Sequence, residues 1–163
     1  MSVEKVKAYL ERFGRDGDVL EFEISSATVA LAAQAVGVIP ARIAKTLSFA
    51  RGEGCILVAA AGDARIDNAR FKAQFGMKAR MLTPEDALRL TGHAVGGVCP
   101  FAIENGQAEV YLDVSLRRFD TVYPAAGSSN SAIELTCDEL QEYAKSSAWV
   151  DVCKGWREEE QAQ

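Results

Sequence analysis

A single α+β or α/β domain with a mixed sheet is the fold class predicted by this sequence of 163 residues. Three observations carry it. Apolar runs of strand length alternate irregularly with amphipathic stretches of helix length. Each helical stretch is bracketed by its own cap and stop residues. No internal repeat, low-complexity stretch or linker-like shift in composition divides the chain, whose length suits one compact domain.

The opening stretch puts Val3, Val6, Leu10 and Phe13 on one helical face, and Gly14 ends it. Leu20, Phe22 and Ile24 then alternate with Glu21 and Glu23, which predicts a half-buried strand. Ser26 or Thr28 caps a small-residue helix, VALAAQAV, that Gly37 closes; its alanines suit close packing on a sheet. Two apolar runs, IAKTLSFA (43–50) and CILVAAAG (55–62), meet at a turn over 51–54 and predict a central β-hairpin. Asp67 caps a helix that runs to Phe75 and stops at Gly76. Thr83, followed by Pro84, Glu85 and Asp86, starts another that Gly92 ends. Short strands over 109–113 and 120–124 precede the turn-rich AAGSSNS and an alternating AIEL (132–135). Thr136 and Glu139 form a capping box for the last helix. The domain spans 1–156, and the acidic tail 157–163 reads as frayed.

Hydrophobic residues make up 48% and charged residues 25%, values of an ordinary globular protein. The N-terminus is an amphipathic helix rather than a signal peptide, and no apolar run approaches the ~20 residues that span a bilayer. A cytoplasmic protein with no membrane partner is expected. Cys55, Cys99, Cys137 and Cys153 are widely spaced, without a CxxC pair, and read as reduced thiols. His93 is the one histidine, and no Cys/His cluster accompanies it, so neither a zinc site nor a Ser-His-Asp triad is expected. Placed after Gly92, it reads as a capping or surface residue. Walker, GxGxxG and GxSxG motifs are missing, which argues against nucleotide, dinucleotide and α/β-hydrolase chemistry. No metal or cofactor is predicted.

Net charge is −5, yet residues 41–80 hold eight basic and three acidic side chains, a local balance of +5. Such a patch can hold phosphates while the acidic remainder keeps binding weak; an uneven surface explains it equally well. Three segments do not look like scaffolding. In Pro40–Leu47, Lys45 interrupts an apolar strand on the face shared by Ile43 and Leu47. A charged amine there needs a partner or a cleft, unless it guards a sheet edge. In Gly96–Phe101, adjacent glycines let a ligand reach main-chain N–H groups, as an oxyanion requires, although a tight turn before Pro100 also explains them. Residues 111–116 and 125–130 are short strands feeding polar loops, where Asp113 and Ser115 read equally well as local caps.

Taken in order, the helix ending AVGV, PARIAKTL, GDARID, LTGHAVGGVCPF, YLDVSL and AAGSSNSAIEL resemble the YbaK/EbsC family of aminoacyl-tRNA deacylases. That family is related to the editing domain inserted in bacterial prolyl-tRNA synthetases, and the resemblance runs from the first helix to about Tyr143. It implies a partly barrel-like sheet and hydrolysis, without metal or cofactor, of the ester joining a wrong amino acid to tRNA. It further implies Lys45 as the functional lysine, Gly96 and Gly97 as the loop facing the ester, and Gly127 in a late loop at the pocket mouth. Thr46, Val98, Cys99, Pro100, Asp113, Ser115 and Ser128 complete the substrate-binding candidates, with Arg42, Arg65 and Arg70 as tRNA contacts. Cys99 is expected as pocket lining, since no basic neighbour in sequence would activate its thiol.

Ala125 and Ala132 stand where the cysteine-specific branch has a serine and an aspartate, so alanine, serine or threonine is a better expected cargo than cysteine. The expected partners are the aminoacyl-tRNA acceptor end and an aminoacyl-tRNA synthetase, with the chain a monomer or weak dimer. Two other readings stand beside this one: a non-catalytic module that grips the acceptor end or a synthetase, and a hydrolase of another small acyl ester.

Overall fold

The structure, a computed structural model, describes residues 2–157. Five helices and ten strands alternate: α1 (Ser2–Glu11), β1 (Leu20–Glu21), α2 (Val29–Val36), β2 (Ile43–Arg51), β3 (Gly54–Ala61), β4 (Arg65–Ile66), α3 (Asn68–Phe75), α4 (Pro84–Thr91), β5 (Ala108–Asp113), β6 (Thr121–Pro124), β7 (Ser131–Ala132), β8 (Leu135–Thr136), α5 (Cys137–Ala144), β9 (Ala148–Val150) and β10 (Cys153–Lys154). Local chemistry sets most of their ends. Thr28, Asp67 and Thr83 each accept an N–H from the first turn of the helix that follows. Thr136 and Glu139 close a reciprocal capping box on α5. Gly37, Gly76 and Gly92 end their helices in the left-handed conformation.

A six-stranded mixed sheet, ordered β8-β6-β2-β3-β5-β9, curls into a half-barrel. The β2–β3 hairpin is antiparallel from Ala44↔Ala61 to Arg51↔Gly54, and β5 adds to β3 in parallel. All eight residues of β3 are buried, as a strand covered on both faces must be. Phe49 of β2 packs on Phe71 of α3, which in turn meets Phe75. Val6 and Leu10 of α1 join the same core.

The outer edge of β2 is broken. β6 pairs with it only at Ile43 and Ala44. Further along, the 80–82 segment takes over: Ala50 N–H donates to Arg80 O, Leu82 N–H to Ser48 O, and Phe49 bridges Met81. Between these two partners, among the described residues, no strand covers residues 45–47. That gap opens on the site described below.

Two expectations need correction. The strand predicted over Leu20–Ile24 shrinks to Leu20–Glu21, paired with β7 in a separate ribbon, and leaves Ile24 57% exposed. Its alternation has no sheet face to bury against. His93 is fully buried rather than a surface cap. Strands β4, β9 and β10 were not legible, because each is two or three residues long and exists through pairing with distant chain. Of the tail 157–163, only Arg157 lies within the described residues. It donates to Asp151 at 2.6 Å and lies 4.3 Å over the Trp156 ring.

Candidate functional site

Strand alternation carries Lys45 onto the face of Ile43 and Leu47, beside the gap in the sheet edge. Its Nζ donates to the carbonyls of Gly62 (3.3 Å) and Ala64, at the turn after β3. An ammonium has three protons, so two carbonyls leave one N–H for a ligand. Burial lowers the lysine pKa from its usual 10.5; the Asp63 carboxylate opposes that shift, and Arg65 adds to it.

Lys45 lines a cavity of about 340 Å³. Residues 43–48 form one side, and α2 with the loop before it contributes Ser26, Thr28, Val29 and Ala32. Met81, Leu82 and Ala87 close a second side; Val95, Gly96 and Val98 form a third with Ala125, Ser131 and Ala132. Among the described residues that line it, Lys45 is the only charged one, and no carboxylate or imidazole joins it. The cavity is therefore a mostly apolar slot, with hydroxyl residues such as Ser48 and Tyr123 and a single fixed cation. Thr46 also lines it, and its Oγ1 is buried without a hydrogen-bond partner. A buried hydroxyl in that state costs about 1–3 kcal/mol.

The glycine turn faces this slot in part. Gly96 lines the cavity with φ 96°, and Val98 lines it two residues on. Gly97 does something else. Its N–H donates to Ala94 O at 2.9 Å, and a Cβ there would lie 2.7 Å from Ser128 Cα. Gly97 is the seam at which the 94–98 turn lies on the 127–129 loop, and its amide is not free for an oxyanion.

The sequence-predicted residues thus separate into two groups. Lys45, Thr46, Gly96 and Val98 meet at the cavity. Gly127 and Ser128 stand behind the glycine turn, where Ser128 Oγ donates to Asn130 Oδ1 at 2.8 Å. Cys99, expected as pocket lining, is fully buried, and desolvation pushes its thiol pKa up to about 12. Its sulfur lies 3.5 Å from His93 Nε2, which is 2.8 Å from Phe101 O. Burial lowers the His93 pKa from 6.5, so the ring is a neutral packing element. Pro100 lies on a different groove, with Tyr9 and Ala102.

Asp113 and Ser115 are buried props rather than pocket residues. The Asp113 carboxylate accepts from Ser115 N–H and Val152 N–H, and Ser115 Oγ accepts from Ala61 N–H. Of the arginines, Arg42 donates to Thr121 and Glu134 and lies over Tyr123, while Arg70 pairs with Asp67 and Asp151. Arg65 is exposed and comes close to Gly155. Met81 and Val95, 59% and 64% exposed at the cavity, escaped the sequence reading, for a lone apolar residue in a loop carries no periodic signal.

The family model of the aminoacyl-tRNA editing domain matches residues 25–143, a span holding every residue of the cavity. The chain is 57% identical over 158 residues to the uncharacterized protein YwhH of Bacillus subtilis (strain 168), covering 96% of this chain and 99% of that one. It is 32% identical over 78 residues to the proline–tRNA ligase of Thermotoga maritima, covering 47% of this chain but 14% of that enzyme. Among solved structures, the crystal structure of a proposed trans-editing enzyme for prolyl-tRNA synthetase superposes with a TM-score of 0.84 at 32% identity, covering 94% of this chain and 98% of that one.

Proposed function

The chain belongs to the aminoacyl-tRNA editing domain family, and on that footing we propose that it acts in trans, hydrolysing the ester that joins a small, wrong amino acid to the terminal ribose of a tRNA. The observation that carries this reading is Lys45: one cation held at the wall of a cavity that has no other charged lining residue among those described and that Gly96 also lines.

Water adds to the ester carbonyl carbon, and the carbonyl oxygen becomes an oxyanion. In this reading the remaining Lys45 N–H takes up that charge, with main-chain N–H groups of the Gly96–Val98 turn as the further candidate donors. Collapse of the tetrahedral intermediate breaks the bond to the ribose oxygen, which leaves with a proton. With no carboxylate or imidazole lining the cavity among the described residues, solvent water or the neighbouring ribose hydroxyl carries the protons. An activated ester asks for positioning and charge stabilisation more than for a strong base. This route needs neither a metal nor a bound cofactor.

The cargo follows from the walls. Ala125 and Ala132, the two positions that differ from the cysteine-specific branch, line the cavity, which supports seating the amino acid against them. Small neutral cargo (alanine, serine or threonine) fits them, and cysteine lacks the polar partners of that branch. Arg65 is left as the tRNA-facing candidate of the three arginines, and a synthetase that supplies the mischarged tRNA is the natural partner.

A panel of tRNAs charged with Ala, Cys, Ser, Thr and Pro tests this, with wild type and Lys45→Ala side by side. Release of one or two small amino acids, lost in the variant, is expected. Binding of charged tRNA without release from any of them would sink the hydrolase and leave the non-catalytic module. Equal turnover of free amino-acid esters would point instead to a general small-ester hydrolase.

A further inference from the structure

The carbonyls that hold Lys45 belong to a turn, and side chains from the 113–118 segment brace it. Gly62 and Ala64 lie between β3 and β4; Ala64 N–H donates to Ala61 O at 3.0 Å within the turn, and Gly62 packs so closely on Pro40 that a Cβ would run into its carbonyl oxygen. At the start of the turn, Ala61 N–H donates to Ser115 Oγ at 3.1 Å. In its middle, the Asp63 carboxylate takes two bonds from Arg118: Nη1 to Oδ2 at 3.0 Å and Nη2 to Oδ1 at 2.6 Å. Arg118 is itself clamped. Its Nε donates to Ser115 O at 2.9 Å, its Nη1 reaches Trp156 O at 3.3 Å, and its guanidinium lies 4.9 Å from the centroids of Phe119 and Trp156. After the turn, β4 pairs with β10 through Cys153↔Ile66, and the residue before β10, Val152, is tied to Asp113.

We propose that Asp63 and Arg118 are positioning residues for deacylation: their two-pronged pair fixes the turn whose carbonyls aim the Lys45 ammonium into the cavity. The proposal rests on the reading of Lys45 given above. Side chains of both partners are about a quarter exposed, at 26% each, so the pair adds little to stability as an ion pair. Its geometry matters more. The planar fork admits one orientation of the carboxylate, and Asp63, which stands between Gly62 and Ala64, passes that orientation one residue along the backbone to each carbonyl.

The charges around the ammonium make the role measurable. Facing Lys45 are Asp63 from the turn, Arg65 from β4 and Cys153 from β10, whose buried thiol stays protonated against Asp113. Asp63→Asn removes a carboxylate that supports the ammonium, so the lysine pKa falls. Arg118→Met leaves that carboxylate unneutralised, so the lysine pKa rises. Arg118→Lys keeps the charge but loses the fork, so the pKa stays near that of wild type while the aim is lost.

The experiment measures kcat and KM on the charged tRNA that wild type clears, the melting temperature, and the titration of isotope-labelled Lys45 by NMR. All three variants are expected to lose about tenfold or more in kcat with KM nearly unchanged, as a displaced catalytic group does. The Lys45 titration should move down, up and not at all in the order given. Lowered melting temperatures with wild-type kcat and an unmoved Lys45 titration would overturn the proposal and leave a structural ion pair. Should Lys45→Ala retain full activity, the fault lies in the assignment of the lysine; should it be inactive while Asp63→Asn is fully active, the fault lies in this inference alone.

Discussion

Replacing Gly97 by alanine perturbs the site without touching any group that meets the substrate. A Cβ at that position would lie 2.7 Å from Ser128 Cα, 2.8 Å from Ser128 N and 2.9 Å from the carbonyl carbon of Gly127. Ordinary carbon contacts are about 3.5–4.0 Å, so the two loops must part by about 1 Å. All three atoms are backbone, and no rotamer change can absorb the clash. Overpacking of this kind costs about 1–3 kcal/mol, which lowers Tm by about 2–4 °C per kcal/mol in a chain of this size. Gly96, the neighbouring cavity residue, must move with the turn, and a displacement of about 1 Å costs about 10²-fold in rate. The assay is single-turnover release from tRNA radiolabelled at its terminal adenosine, with Tm measured in parallel. Gly17→Ala is the control, since a Cβ there meets nothing within 4 Å. Full rate and unchanged Tm in Gly97→Ala would refute the claim that contact between the loops sets the geometry of the site.

Two further outcomes follow from the same structure. Burial lowers the folded pKa of His93 below 6.5, so the unfolded chain takes up a proton there before the native one does. Its contribution is intact above pH 6.5 and declines on acidification toward the depressed folded value, by at most about 1.4 kcal/mol per pH unit. Denaturant midpoints between about pH 7 and pH 5 should therefore fall less steeply in His93→Gln; identical slopes would assign the acid loss to other groups. Ala32 of α2 is 9% exposed and lines the cavity, so Ala32→Leu narrows the slot. Release of threonine should fall about tenfold or more before release of alanine changes, because each methylene is worth about 1–3 kcal/mol in such a pocket. An equal loss for both would mean that this wall does not touch the cargo.

Most of the helices were legible in the sequence, because caps and stops are local. Thr28 with Gly37, Asp67 with Gly76, and Thr83 with Gly92 each fix an end through contacts within a turn of chain. The central hairpin was legible for the same reason: two long apolar runs and a tight turn admit one pairing. The Leu20–Ile24 stretch had the right alternation but no partner to complete a buried face. The candidate site divides along the same line. Lys45 declared itself as a charge among core residues, and the glycine turn as a break in pattern. Asp113 and Ser115 carried the same signal of polar residues at a strand end, yet their partners, Val152 and Ala61, turn them inward.

The sequence alone, then, determined the hairpin, the capped helices and the lysine that had to find either a cleft or a partner, since these follow from propensity, periodicity and the cost of burying charge. Tertiary structure decided what Lys45 found, namely the carbonyls of Gly62 and Ala64 beside a mostly apolar cavity. It also decided that Gly96 faces that cavity while Gly97 meets Ser128. The reason is physical: a cavity is the space left between elements far apart in the chain, here β2, α2, the 80–82 segment and the 125–132 loops, and no local pattern encodes a space.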